Sequence, residues 1–161
     1  MPFELRPYPA PTLRPEGDYL QAAWRRSVYP LGARLGAEIR LPDVSPQPHT
    51  RLAFEGLEFA KAHGKGNDYQ ERVMRAFFQE SRDIGNPEVL AELAREAGLP
   101  EQEFRQALAD GAHSARVEDL LRQAYHELKI TGVPYFLIGG QAFTGVQSKE
   151  TLEKAIEQAG G

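Results

Sequence analysis

The chain contains no cysteine, and this absence excludes more than any motif present. Without a thiol there is no disulfide, no thiolate metal ligand and no cysteine nucleophile within these residues. No apolar run approaches the ~20 residues a membrane-spanning helix requires, and no Lys/Arg block suggests a membrane surface. The N-terminus lacks a basic segment followed by an apolar core, so nothing exports the chain as written, and the cytoplasm is the expected location. Positive charge is not in excess. Nineteen Lys and Arg face 23 Asp and Glu, for a net charge of −4 and a pI near 5.6. That balance leaves no electrostatic footprint for nucleic acid.

Familiar catalytic patterns are missing too. The four histidines, His49, His63, His113 and His126, share no H-x-x-x-H or H-E-x-x-H spacing, so no metal site is expected. Glu80, Asp83, Glu88 and Glu92 are spread along helix faces and read as solvated surface rather than a catalytic pair. There is no G-x-S-x-G, no P-loop and no G-x-G-x-x-G between strand and helix. Gly64-Lys65-Gly66 lacks the preceding glycine and strand of a phosphate loop. No cofactor is expected.

What remains is one domain's length, 161 residues, enough to bury a real core. Pro2 to Pro7 alternates apolar and polar, which predicts a short strand with Phe3 and Leu5 on one face. Pro7, Pro9, Pro11 and Pro15 make the following stretch extended. Helix-period segments come next. One starts at Asp18, which can cap the first turn, and carries Leu20, Ala23, Trp24, Val28 and Leu31; Pro30 kinks it or opens a second helix ending near Gly36. Glu38 to Leu41 is a brief extended segment. His49 to His63 places Leu52, Gly56, Leu57 and Ala60 on one face before Gly64. Asn67 or Asp68 caps a helix with Val73, Met74, Phe77 and Phe78 as its apolar positions. Asn86-Pro87-Glu88 opens a helix with Leu90, Leu93, Ala94 and Ala97 inward. Glu101 to Ala109 carries Phe104 and Leu108. A long helix from Ser114 has the best apolar stripe, Val117, Leu120, Leu121, Ala124, Tyr125 and Leu128. Ser148 caps a closing helix with Leu152, Ala155, Ile156 and Ala159 inward.

Between the last two helices lies ITGVPYFLIGGQAFTGVQ, Ile130 to Gln147. Two short apolar runs flank Gly139-Gly140, which reads as a β-hairpin with a tight primed turn. Pro134 at the head of the first strand cannot donate to a ladder. From the Val133-Pro134 dipeptide alone, a trans proline is the expectation, since cis X-Pro is uncommon.

The order of P-F-E-L-R-P, the T-G-V-P-Y-F turn and the closing G-V-Q-S-K-E-T-L resembles the DsbA family of thioredoxin-like proteins, within it the FrnE or 2-hydroxychromene-2-carboxylate-isomerase-like branch. The resemblance covers essentially the whole chain. It implies an α/β, thioredoxin-like domain with a small sheet and a large all-helical insertion. The parts are a strand and Pro-rich lead-in over 1–16, the insertion over 17–111, and the C-terminal half of the fold over 112–161. It implies a cis Val133-Pro134 bond, with Val133 and Pro134 binding an extended thiol or peptide substrate. It transfers no catalytic residue, because the family's Cys-x-x-Cys would precede Met1. The first βα unit is therefore expected to be missing, by truncation, a misassigned start codon or processing rather than as a natural variant. In the thioredoxin plan that unit's strand is central, so the Tyr135–Ile138 strand is expected to show an apolar edge and to form a homodimer, or to swap the N-terminal strand. The implied function is that of a thiol-disulfide oxidoreductase family member that cannot itself exchange thiols. The alternatives are a non-catalytic peptide-binding or assembly module, and a relative of glutathione-dependent isomerases or kappa-class transferases.

Overall fold

The computed structural model describes residues 1–160. Two compact units are present. One comprises Glu4–Leu120 with Pro2, and the other the described residues from Leu121 onward with Met1 and Phe3. Among the described residues the only sheet has two strands, and no helix is long and apolar enough to cross a membrane.

The first unit is helical. α1 (Asp18–Ala23) runs through a π-type turn, Trp24–Val28, into α2 (Tyr29–Leu35), which Gly36 closes in the left-handed conformation. Pro30 thus opens α2 without ending the helical path. The wide turn before it accommodates the bond that proline cannot donate. Gly17, not Asp18, occupies the cap position, and Asp18 is the acid of the first turn. Then follow α3 (Arg51–Ala62), α4 (Gly66–Phe78), α5 (Pro87–Glu96), α6 (Glu101–Ala109) and α7 (Ser114–Arg122).

The core shared by α3 to α6 is built from small residues around a few large ones. Ala60, Ala76, Leu90, Ala91, Leu93, Ala94 and Phe104 have no exposed surface, and Tyr69 retains 1%. Phe104 meets Phe59 edge to face at 5.3 Å and Tyr69 at 5.5 Å. Alanine at the contacts lets the helix backbones approach closely, and the aromatics fill the space between them.

Local chemistry explains several boundaries. Asn86 accepts a hydrogen bond from the Glu88 N–H, with Pro87 in the first turn, as the sequence predicts. α4 begins at Gly66 with Lys65 as its cap, two residues before Asn67 and three before Asp68, the expected caps. There Lys65 donates to Asp68 at 3.0 Å, which places the acid at the positive end of the helix. Met74 is 52% exposed rather than inward. Tyr69, Val73 and Ala76 set the buried face at i, i+4, i+7, and Met74 is turned about 100° away from Val73.

The expected strand at Phe3 and Leu5 is not present. Residues 2–7 have no ladder partner among the described residues, and a strand without a neighbour is only an extended segment. Side-chain contacts hold it. Glu4 is buried with its carboxylate 3.7 Å from Arg51, and the Arg6 carbonyl lies 3.1 Å from His49 Nδ1. Burial pushes the Glu4 carboxyl above its ordinary range, and Arg51 and His49 only partly oppose this.

On the surface, Arg72 bridges Glu80 at 2.8 Å and Glu96 at 2.5 Å, while Arg82 reaches Glu96 at 3.4 Å and also holds Glu92. The Arg72 hydrogen bond, with help from Arg82, holds the Glu96 carboxyl below its ordinary range. A depressed carboxylate stabilises the fold above its unfolded-state pKa, and that contribution fades as pH falls through the folded value. Glu96→Gln is therefore expected to lose less stability than the parent between neutral pH and the acid range. The difference should stay below about 1 kcal/mol, as for other largely solvated pairs. Urea midpoints at both pH values check this, and equal acid sensitivity in the two proteins would refute it.

In the second unit, α7 passes into a π-type turn, Gln123–Glu127, and then to β1 (Tyr135–Ile138), β2 (Gln141–Thr144) and α8 (Lys149–Gln158). Ser148 caps α8 by accepting from the Thr151 N–H, as the sequence predicts. The inward face of α8 is narrower than expected. Ala155 is buried and Leu152 half-buried, but Ile156 is 50% exposed and Ala159 is also exposed. Two four-residue strands are too small to cover a whole helical stripe.

Candidate functional site

The hairpin's geometry follows from its turn. Gly139 and Gly140 both have positive φ, 56° and 81°, the requirement of a type I′ turn, whose twist matches that of the flanking strands. The turn fixes an antiparallel register in which Ile138 faces Gln141, Phe136 faces Phe143 and Tyr135 faces Thr144. The Gly145 N–H donates to the Pro134 carbonyl at 2.9 Å. That bond places Pro134, Phe136 and Ile138 at the hydrogen-bonded positions of the ladder. Tyr135 and Leu137, at the alternate positions, therefore direct their N–H and C=O groups to the other side of β1. No strand pairs there among the described residues.

The Val133-Pro134 bond is cis, which corrects the reading from the dipeptide and agrees with the resemblance. Neither backbone group of Val133 is hydrogen-bonded to a described residue. The two sequence-predicted site residues therefore lie at the head of an open strand edge, continuous with the outward groups of Tyr135 and Leu137. The Val133 and Leu137 side chains are 54% and 51% exposed.

The apolar edge expected of this strand is unpaired among the described residues. From Ile130 to Gln147 there is no Asp, Glu, Lys or Arg, in a chain that is 26% charged. Edge strands are ordinarily protected by such charges. The signal was available in the sequence, because a charge-free stretch bracketed by Lys129 and Lys149 marks an edge left open to pairing. Chemically, the site offers main-chain donors and acceptors with apolar flanks and no titratable side chain other than the Tyr135 phenol. Elsewhere, no group of three or more His, Asp or Glu among the described residues could hold a metal ion.

Comparisons with known proteins fit this architecture. Residues 2–157 match the family model described as a DSBA-like thioredoxin domain. The uncharacterized protein YwbO of Bacillus subtilis (strain 168) is 46% identical over 157 residues, covering 97% of this chain and 78% of that protein. The crystal structure of a probable DsbA oxidoreductase from Streptomyces coelicolor aligns with a TM-score of 0.76 at 29% identity, over 88% of this chain and 61% of that one. This chain thus spans less than two thirds of that relative's length.

Proposed function

Since the chain belongs to the DSBA-like thioredoxin domain family, we propose that it binds extended peptide at the main chain of Val133, beside Pro134, as the substrate-docking part of a FrnE-like thiol-disulfide oxidoreductase working in the cytoplasm. The observation that carries this reading is the unpaired main chain and exposed side chain of Val133 beside cis Pro134. A peptide laid there pairs with the Val133 N–H and C=O, its affinity coming from these main-chain hydrogen bonds and its selectivity from alternate side chains. These 161 residues hold no thiol, so they bind substrate and form no mixed disulfide of their own. Val133 and Pro134 are binding residues in this reading, and no residue here is catalytic.

The test is a titration with a cysteine-free peptide, acetyl-(Val-Thr)4-Lys-Lys-amide, followed by amide NMR. Peptide should shift the amide of Val133 most and leave those of Phe136 and Ile138, which face β2, much less affected. Val133→Pro removes the Val133 donor, which has no partner in the fold, while sparing the ladder to β2. It should weaken binding about tenfold, the equivalent of one or two main-chain hydrogen bonds. Uniform small shifts across the chain, or unchanged affinity in a Val133→Pro protein with an intact hairpin, would reject the reading.

A further inference from the structure

We infer that Gln147 is a positioning residue for the Val133–Pro134 site: its side-chain amide supplies the hydrogen-bond donor that proline withholds from the end of the ladder. The inference rests on the peptide-docking reading for what the site binds, and adds the residue that holds it in place.

Pro134 and Gly145 form the last hydrogen-bonded pair between β1 and β2. The Gly145 N–H donates to the Pro134 carbonyl at 2.9 Å. In a regular antiparallel pair of this kind the two residues exchange both bonds. Here the return bond cannot form, because proline has no N–H. The Gly145 carbonyl therefore loses its ladder donor, and a main-chain acceptor left unmet is costly where water is excluded.

Gln147 answers that need from two residues further on. Its Nε2 donates to the Gly145 carbonyl at 3.2 Å and to the Thr144 carbonyl at 3.0 Å. A primary amide carries two N–H donors, one for each acceptor. Thr144 faces Tyr135 in the register, an alternate position whose carbonyl turns away from β1. Gln147 thus gathers the last two carbonyls of the β2 end, and no other group among the described residues donates to that of Gly145. The reverse orientation of the amide would set its oxygen against both carbonyls, so the two acceptors fix which way it points.

The amide is also presented from a fixed point. Ser148, the next residue, caps α8 by accepting from the Thr151 N–H at 3.1 Å, and its hydroxyl meets that of Thr151 at 2.8 Å. The contacts run from this cap through Gln147 to Gly145 and on to Pro134, beside the main chain of Val133. A binding group held in this way needs less ordering when its ligand arrives.

Two variants test the assignment. Gln147→Met keeps the length of the side chain and removes both donors. Gln147→Glu presents only acceptors when ionised and regains one O–H donor when protonated. In Gln147→Met the Gly145 amide should exchange with solvent about tenfold faster, and affinity for the Val-Thr peptide should fall about fivefold, the scale of one hydrogen bond. The Phe136 and Ile138 amides should stay dispersed. Gln147→Glu should bind weakly at pH 7 and return toward the parent's affinity as pH falls through about 4–5, the carboxyl range. Gln147→Met, compared with the parent at each pH, should show no such return. A glutamine that merely joined β2 to α8 would give neither the faster exchange at Gly145 nor the acid-side recovery.

The failures separate. A parent that binds peptide at Val133 and a Gln147→Met protein that binds it equally well would overturn the inference and leave the docking reading standing. Unchanged exchange at Gly145 would do the same. Should Gln147→Met lose its hairpin, Gln147→Glu decides, and a folded protein of that kind with no acid-side recovery overturns the inference. A parent whose Val133 amide does not respond to peptide removes the docking reading and this inference together.

Discussion

Phe104→Ala is expected to lower the unfolding free energy by about 3–5 kcal/mol, the cost of emptying a fully buried aromatic site. Phe104 has no exposed surface and contacts both Phe59 and Tyr69, so the cavity would lie where α3, α4 and α6 meet. Ala60 on α3 and Ala76 on α4 are already fully buried. They have little room to move inward, so the space would stay open. With a urea dependence of about 2 kcal/mol per molar, the midpoint should fall by about 2 M. A fall of less than about 0.5 M would mean that the helices close over the gap, contrary to the alanine-limited packing described above. Phe104→Leu, which keeps most of the volume, should lose well under half as much.

The second large effect concerns Gly56, in the middle of α3. Exchange of a helical glycine for alanine ordinarily gains about 0.5–1 kcal/mol. Here the new methyl would lie 2.3 Å from Tyr69 Oη and 2.6 Å from Phe104 Cζ. Both are tips of rings fixed in a packed core, and overpacking of this kind costs about 1–3 kcal/mol, occasionally more. The clash outweighs the propensity gain, and Gly56→Ala is expected to destabilise by about 2 kcal/mol.

Tyr69 supplies an internal check on that result. Its hydroxyl is buried with no hydrogen-bond partner among the described residues, and burial pushes the phenol's pKa upward. Tyr69→Phe alone should therefore be close to neutral or slightly stabilising, since no hydrogen bond is lost. In the double variant it removes the nearer of the two clashing atoms and should recover about 1 kcal/mol of the Gly56→Ala loss. Strict additivity of the two changes would show that Tyr69 Oη is not what Gly56 makes room for.

Much of this fold was legible in the sequence, for local reasons. Asn86-Pro87-Glu88 and Ser148 announce helix starts because a side-chain oxygen, a proline or an acid acts within one turn. Gly139-Gly140 announces the hairpin because few other pairs adopt two positive φ angles in succession. The misreadings share a different cause. Phe3 and Leu5 alternate correctly for a strand, but alternation does not supply the neighbour a strand must pair with. Met74 and Ile156 sit one position from the buried stripe, and which side of that boundary a residue takes is decided by how much surface the facing elements offer. The core's dependence on Gly56 was also hidden, because the glycine's role is set by Tyr69 and Phe104, distant in the chain. At the site, Val133 and Pro134 were found through resemblance. The outward groups of Tyr135 and Leu137 needed the ladder's register, which the bond from Gly145 to Pro134 fixes.

The charge-free run around the hairpin also determines how proteases meet this protein. Trypsin cleaves after Lys129 and next after Lys149, so the whole edge leaves the digest as one fragment. Enzymes that cut at acidic residues find no site within it either. Tyr135 is the only tyrosine in that fragment. Nitration or iodination of its phenol, read as a single mass increment, therefore reports on this segment alone, with every other tyrosine carried in a different fragment.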